Sequence, residues 1–126
     1  MLMDERRRIL IADDERAIAD SLSVILAQAG YDASAVYGGR EAIEKARRWR
    51  PDLFLSDVSM PEVDGVAAAM EICTLFPGCR ILLFSGEPRS KSFVQSTLFL
   101  GYRFEFFHKP IPPADLLQRI GRLWAA

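Results

Sequence analysis

Five polar side chains follow short apolar runs, close to the point where each run ends. The set comprises three aspartates, a serine and a lysine: Asp13, Asp14, Asp57, Ser85 and Lys109. If the apolar runs are parallel strands of one open sheet, their carboxyl ends lie on the same edge, where ligands bind in such sheets. The sequence therefore predicts that these residues converge on one site, although they are far apart along the chain.

The side chains of this set are suited to phosphoryl transfer. Three clustered carboxylates repel one another, and a hard divalent cation such as Mg²⁺ relieves the repulsion while leaving positions for phosphate oxygens. Lys109 supplies a point positive charge for a phosphate, and the Ser85 hydroxyl can donate to a phosphate oxygen. Because the set contains neither a histidine base nor a soft metal ligand, we expect a carboxylate to be the phosphoryl acceptor.

Each of these residues also has a purely structural explanation. Asp14 could cap a helix, Asp57 could be a loop acid, Ser85 a turn residue and Lys109 a surface charge. Their recurrence at strand ends in this order is hard to explain by chance. We therefore interpret them as one functional site.

The elements that would position the site alternate regularly along the chain. Short apolar runs predict strands at residues 8–12, 32–36, 53–55, 80–84 and 104–107. Helical spacing of apolar residues, with Asp64 as an expected cap of the third helix, predicts helices at residues 18–29, 40–49, 64–76, 90–100 and 113–124. Continuous apolar strands indicate burial on both faces, so we expect a parallel α/β sheet wound on both sides.

Composition limits the possible function classes. The chain has 126 residues, half of them hydrophobic, and a formal net charge of −1. This is consistent with a single domain over residues 1–126 and gives no reason to expect a nucleic acid or a membrane as partner. The N-terminus lacks a long apolar region, which predicts a cytoplasmic location. Cys73 and Cys79 fit no metal-ligand pattern, and we expect free, buried thiols.

Four motifs carry a resemblance to a known family. They are residues 11–15 (IADDE), 55–65 (LSDVSMPEVDG), 84–86 (FSG) and 108–110 (HKP), and the second is long and specific. Over nearly its whole length the chain resembles the receiver domains of bacterial two-component response regulators. The resemblance implies a flavodoxin-like fold, a doubly wound five-stranded parallel sheet with strand order 2-1-3-4-5.

The resemblance also implies a role for each acidic residue. Asp57 corresponds to the phosphoacceptor. Asp13 and Asp14 correspond to the acidic pair that binds Mg²⁺, with Asp14 as the direct ligand and Asp13 acting through water, and the Ser59 backbone carbonyl corresponds to a further metal ligand. Lys109 corresponds to the lysine that pairs first with Asp57 and then with the phosphoryl group.

Further residues match the switch of the family. Ser85 corresponds to the hydroxyl that moves toward the phosphoryl group, and Phe106 to the aromatic side chain that fills the space it leaves. Gly86 occupies a position where a small residue leaves room for phosphate. The Lys109–Pro110 bond is often cis in this family, which would direct the lysine inward.

The resemblance also indicates the partners. A sensor histidine kinase or a histidine phosphotransfer protein would deliver the phosphoryl group to Asp57, and the surface formed by the fourth helix, fifth strand and fifth helix would change shape. The fourth helix region is rich in apolar residues, which favours a homodimer or a partner on this surface. Beyond self-directed phosphotransfer and dephosphorylation, we expect no enzyme activity.

Two other functions remain open at this point. An interaction module could keep the fold without using phosphate, but it would be marked by loss of an acid or the lysine, and all are present. A Mg²⁺-dependent aspartyl-phosphate phosphatase of the haloacid dehalogenase type needs a second aspartate two residues after the nucleophile, where this chain has Ser59. A flavin-binding protein of the same fold would need a phosphate-binding loop after the first strand, which the sequence lacks.

Overall fold

Strands and helices alternate through the computed structural model, which describes residues 6–125. The strands are β1 (Arg8–Ala12), β2 (Asp32–Val36), β3 (Leu53–Asp57), β4 (Arg80–Ser85) and β5 (Glu105–His108). The helices are α1 (Arg16–Gln28), α2 (Gly39–Trp49), α3 (Gly65–Leu75), α4 (Ser90–Ser96) and α5 (Pro113–Trp124). A 3₁₀ turn, Thr97–Leu100, continues α4.

The five strands form one parallel sheet in the order β2-β1-β3-β4-β5, which confirms the predicted fold class. The winding direction reverses between β1 and β3, which are neighbours in the sheet although β2 separates them in sequence. In the register, Ala12 pairs with Ser56, and Ser85 pairs with His108. This alignment brings the residues that follow β1, β3, β4 and β5 to one edge of the sheet.

The sheet is buried on both faces because helices cover each side. Alternate strand residues lie on one face of the sheet; Leu10, Phe54 and Leu83 are examples, and they pack with α2, α3 and α4. The residues between them, such as Ile11 and Leu55, lie on the opposite face and pack with α1 and α5. This arrangement explains why the strands are continuously apolar rather than alternating.

The start of α3 is specified by two adjacent residues. The Asp64 carboxylate accepts a hydrogen bond of 2.7 Å from the Ala67 amide, which confirms the predicted cap. The next residue is Gly65, and a Cβ atom there would collide with the carbonyl oxygen of Asp57. The lack of a side chain therefore allows α3 to begin directly against the end of β3.

Several boundaries and one helix face differ from the expectations. The fourth helix was expected to be α-helical to residue 100, but it becomes a 3₁₀ turn at Thr97, whose hydroxyl donates to the Val94 carbonyl. Strand β5 lies one residue later than expected, at Glu105–His108. Cys73 is half-buried rather than buried, and the buried residues of α3 are Gly65, Val66, Ala68, Ala69 and Ile72.

Within residues 6–125, none of the helices has both the length and the apolar character that crossing a membrane requires.

Candidate functional site

Three aspartates meet at the carboxyl edge of the sheet. Oxygen atoms of Asp13, Asp14 and Asp57 all lie within 4.8 Å of one another. Asp13 and Asp14 follow β1, and Asp57 ends the neighbouring strand β3, so the parallel register brings them together. Asp13 is fully buried and Asp57 is 8% exposed, whereas Asp14 is open to solvent. The cluster therefore combines buried charge with an accessible side.

Lys109 bridges the two buried aspartates. Its Nζ atom donates to Asp13 Oδ2 at 3.1 Å and to Asp57 Oδ2 at 3.4 Å. The Lys109 amide donates to the Ser85 carbonyl at 2.9 Å, which continues the pairing of β4 with β5 beyond the last strand residue. The Lys109–Pro110 peptide bond is cis. Lys109 directly follows β5, so its side chain reaches the acidic cluster across β4.

The pKa of the Asp57 carboxyl group is raised. Burial raises the pKa of its carboxyl group to about 6, and the nearby charge of Asp13 acts in the same direction. Lys109 and a hydrogen bond from the Ser59 backbone lower the pKa of Asp57, but they do not offset burial. Burial by itself would lower the pKa of Lys109, yet Asp57 and Asp13 outweigh it, so the pKa of Lys109 is raised.

The charge balance of the site fits a divalent cation. The cluster contains three carboxylates and one lysine ammonium group, and oxygen atoms from all three carboxylates are close enough to share one ion. Hard oxygen ligands of this kind match Mg²⁺, which keeps water or phosphate oxygens at its other positions. The donor set therefore fits the metal that the sequence predicted.

The two aspartates after β1 have different environments. Asp13 Oδ1 accepts a hydrogen bond of 3.0 Å from the Glu15 amide, and Asp13 Oδ2 contacts Lys109, so both of its oxygens are engaged. The residue at the N-cap position of α1 is Glu15, not Asp14, and no side chain caps this helix. The structural explanation of Asp14 as a helix cap is therefore wrong, and its exposed carboxylate is available for an ion.

Ser85 lies at the site but bonds away from the aspartates. Its side chain is 1% exposed, and its Oγ atom accepts hydrogen bonds from the Glu87 amide at 3.0 Å and the Ser90 hydroxyl at 2.8 Å. Ser59, two residues after Asp57, donates from its hydroxyl to Glu87 Oε1 at 3.3 Å. The loop after β4 is thereby joined to the loop after β3.

Two further residues expected at the switch are Phe106 and Gly86. Phe106 is half-buried on β5 and makes an edge-to-face contact with His108, with ring centroids 5.0 Å apart. The Phe106 carbonyl accepts a hydrogen bond of 3.2 Å from Arg119 of α5. A Cβ atom at Gly86 would meet nothing closer than the Lys109 Cβ atom, at 3.9 Å. The Gly86 position is therefore open rather than tightly packed.

Sequence reasoning missed several contacts around these residues. It paired Lys109 with Asp57, a contact of 3.4 Å that is present, but it did not assign the shorter contact of 3.1 Å between Lys109 and Asp13. It also gave no role to Ser90 or to the close approach of Gly65 to the Asp57 carbonyl. Each of these contacts joins residues of different elements, so it depends on how the elements pack together.

A doubly wound sheet with an acidic cluster and a lysine at its carboxyl edge defines the receiver class of signalling domains. The family described as the response regulator receiver domain matches residues 9–121 of this chain. The chain belongs to that family, and its class is a signalling domain of two-component systems.

Individual relatives support the same assignment. The chain is 30% identical to the chemotaxis protein CheY of Thermotoga maritima over 118 residues, covering 93% of this chain and 97% of that protein. It is 27% identical to the DNA-binding response regulator MtrA of Mycobacterium tuberculosis over 121 residues, but spans about half of that longer protein (49%). A CheY-like receiver domain protein from Methanospirillum hungatei superimposes with a TM-score of 0.85 at 29% identity, covering 94% of each chain.

Proposed function

We propose that Asp57 accepts a phosphoryl group and that residues 1–126 act as one receiver domain in a phosphorelay. The observation that carries the proposal is the convergence of Asp13, Asp14 and Asp57 with Lys109 at one point of the sheet edge. Asp57 is the acid of this group that is both next to the lysine and at the end of the central strand β3. The proposed donor is a sensor histidine kinase or a histidine phosphotransfer protein.

Mg²⁺ is the cofactor that this proposal requires. Receiver domains generally bind Mg²⁺ through acidic residues, and this chain has such a cluster. Asp14, Asp57 and the backbone carbonyl of Ser59 would hold the ion, with Asp13 acting at longer range because Lys109 and the Glu15 amide engage its oxygens. When bound, the ion neutralises charge on the phosphoryl oxygens.

The transfer itself is performed by Asp57 and Lys109. An Asp57 carboxylate oxygen attacks the phosphorus of the donor phosphohistidine, a P–O bond forms, and the P–N bond breaks to return the imidazole to the donor. Asp57 must be ionised for this attack, and a pKa of about 6 leaves it mostly ionised at neutral pH. Lys109 already contacts the carboxylate and then pairs with the new phosphoryl oxygens.

The output surface consists of α4, β5 and α5. Ser85 turns toward the phosphoryl group, and Phe106 fills the vacated space through packing, since it has no hydroxyl. Phe93 is exposed on α4, and Phe99 and Leu100 are exposed on the 3₁₀ turn that follows it. An apolar group of this kind supports a homodimer or a protein partner on the α4–β5–α5 surface.

The test is phosphorylation by a small phosphodonor such as acetyl phosphate, followed by intact mass spectrometry. We expect one phosphoryl group per chain in Mg²⁺, none in EDTA, and none in Asp57→Asn. Asp32→Asn is the matched control, because it removes an exposed carboxylate at the start of β2, at the opposite edge of the sheet. Labelling that persists in Asp57→Asn would refute the proposed acceptor.

The same experiment addresses the phosphatase alternative. Slow loss of the label from a single loaded chain is self-directed hydrolysis, which is consistent with a signalling domain. Steady turnover of small phosphoesters would instead favour an enzyme.

A further inference from the structure

The first residue of α4 contacts the site through a buried hydroxyl. Ser90 is 6% exposed, and its Oγ atom donates to Ser85 Oγ at 2.8 Å. The Ser90 amide donates to the Glu87 carbonyl at 3.2 Å, which closes a tight loop between β4 and α4. Ser90 is therefore held at this position by both its backbone and its side chain.

The hydrogen bonds of Ser85 fix the side on which its hydroxyl oxygen lies. A serine oxygen has two acceptor positions, and here the Ser90 hydroxyl and the Glu87 amide occupy both. Within residues 6–125, no hydrogen bond joins Ser85 Oγ to Asp57 or Lys109. Both partners of the Ser85 oxygen thus belong to the loop and the first residue of α4.

We propose that Ser90 is a positioning residue that holds the Ser85 hydroxyl on the α4 side until Asp57 is phosphorylated. The inference rests on the proposed function, because it assigns Ser85 two positions, and the structure contains the one bonded to Ser90. Movement of Ser85 toward a phosphoryl group on Asp57 breaks the Ser90–Ser85 bond. Ser90 therefore opposes switching and sets how much phosphorylation is needed to drive it.

The same bond transmits the movement to α4. Once Ser85 leaves, the Ser90 hydroxyl has lost its hydrogen-bond partner, which is unfavourable because the residue is only 6% exposed. A shift of the first turn of α4 restores hydrogen bonding to Ser90. Phe93 lies on that turn and is exposed, whereas Val94 packs into the core. The shift therefore changes the apolar surface without dismantling the helix.

The test is the affinity for beryllofluoride, a phosphoryl mimic, in Mg²⁺, followed by NMR of the backbone amides. Ser90→Ala removes the bond that opposes movement of Ser85, so we expect roughly three- to tenfold tighter binding than in the wild type. Ser92→Ala is the matched control, because Ser92 is an exposed serine on the same helix. Its affinity should equal that of the wild type.

A double-mutant cycle shows whether the effect passes through Ser85. In a Ser85→Ala background, Ser90→Ala should no longer tighten beryllofluoride binding, since there is no hydroxyl left to hold. The same cycle measured by urea unfolding in EDTA should give a favourable coupling between the two serines without any ligand or metal. That measurement also shows whether each variant folds.

The outcomes separate the two proposals. If the wild type fails to bind beryllofluoride, the phosphoacceptor function is wrong. If the wild type binds but Ser90→Ala binds equally or more weakly, Ser90 does not hold Ser85 back. If Ser90→Ala tightens binding to the same degree with and without Ser85, the effect does not act through this bond, and the inference is overturned.

Discussion

Replacing Asp57 by asparagine should stabilise the metal-free fold at neutral pH. Burial raises the pKa of Asp57 from an ordinary value of 3.8 to about 6, so folding disfavours its charged form. A pKa difference of that size corresponds to about 3 kcal/mol of unfolding free energy. Asparagine has nearly the same shape and no charge, so Asp57→Asn removes this cost and leaves Lys109 paired with Asp13.

The stabilisation should depend on pH in a defined direction. Below the unfolded pKa of 3.8, Asp57 is protonated in both states and its ionisation contributes nothing to stability. As the pH rises toward 6, the folded state holds its proton while the unfolded state loses it, so the wild type loses stability. Above about pH 7 the difference between Asp57→Asn and the wild type should level off near its maximum.

Urea unfolding followed by circular dichroism, in EDTA between pH 4.5 and 8, measures this difference. Other titrating groups are common to both proteins and largely cancel. Asp32→Asn, which removes an exposed carboxylate, should change the unfolding free energy little. A difference between Asp57→Asn and the wild type that is independent of pH, or that shrinks with rising pH, would show that burial of the Asp57 charge does not destabilise the fold.

Adding Mg²⁺ should narrow the difference in stability between Asp57→Asn and the wild type. A ligand that binds the folded state stabilises it in proportion to its affinity and concentration. The wild type has all three carboxylates of the cluster and should gain stability in Mg²⁺, whereas Asp57→Asn should gain less. Equal gains for the two proteins would contradict the assignment of Asp57 as a metal ligand.

Three further predictions concern packing and the output surface. Gly65→Ala should destabilise the fold by about 1–3 kcal/mol in urea unfolding, because the new Cβ atom would collide with the Asp57 carbonyl oxygen. Gly78→Ala is the control and should have little effect, since there is open space around Gly78. Asp64→Ala should cost about 1 kcal/mol of unfolding free energy in the same titration, because it removes the hydrogen bond that caps α3. Phe99 is 92% exposed, and Phe99→Ser should weaken any phosphorylation-dependent self-association about tenfold in sedimentation experiments without lowering stability.

Much of the fold was predictable because its signals are local. Apolar runs, helical spacing and the Asp64 cap depend on residues close together in the chain, and the structure confirms these elements within a residue or two. The 3₁₀ end of the fourth helix was not predicted, because it depends on a Thr97 hydroxyl bond to the Val94 carbonyl. The buried face of α3 was also partly misjudged at Cys73, since it depends on how the helix rotates against the sheet.

The sequence by itself determined that acids, a serine and a lysine lie at strand ends, and parallel pairing then requires them to share one edge. The tertiary structure decided which atoms meet there. Lys109 is closer to Asp13 than to Asp57, and Ser85 bonds to Ser90. Such distances depend on sheet twist and on how α4 docks, which many weak contacts across the whole core set together and no short segment encodes.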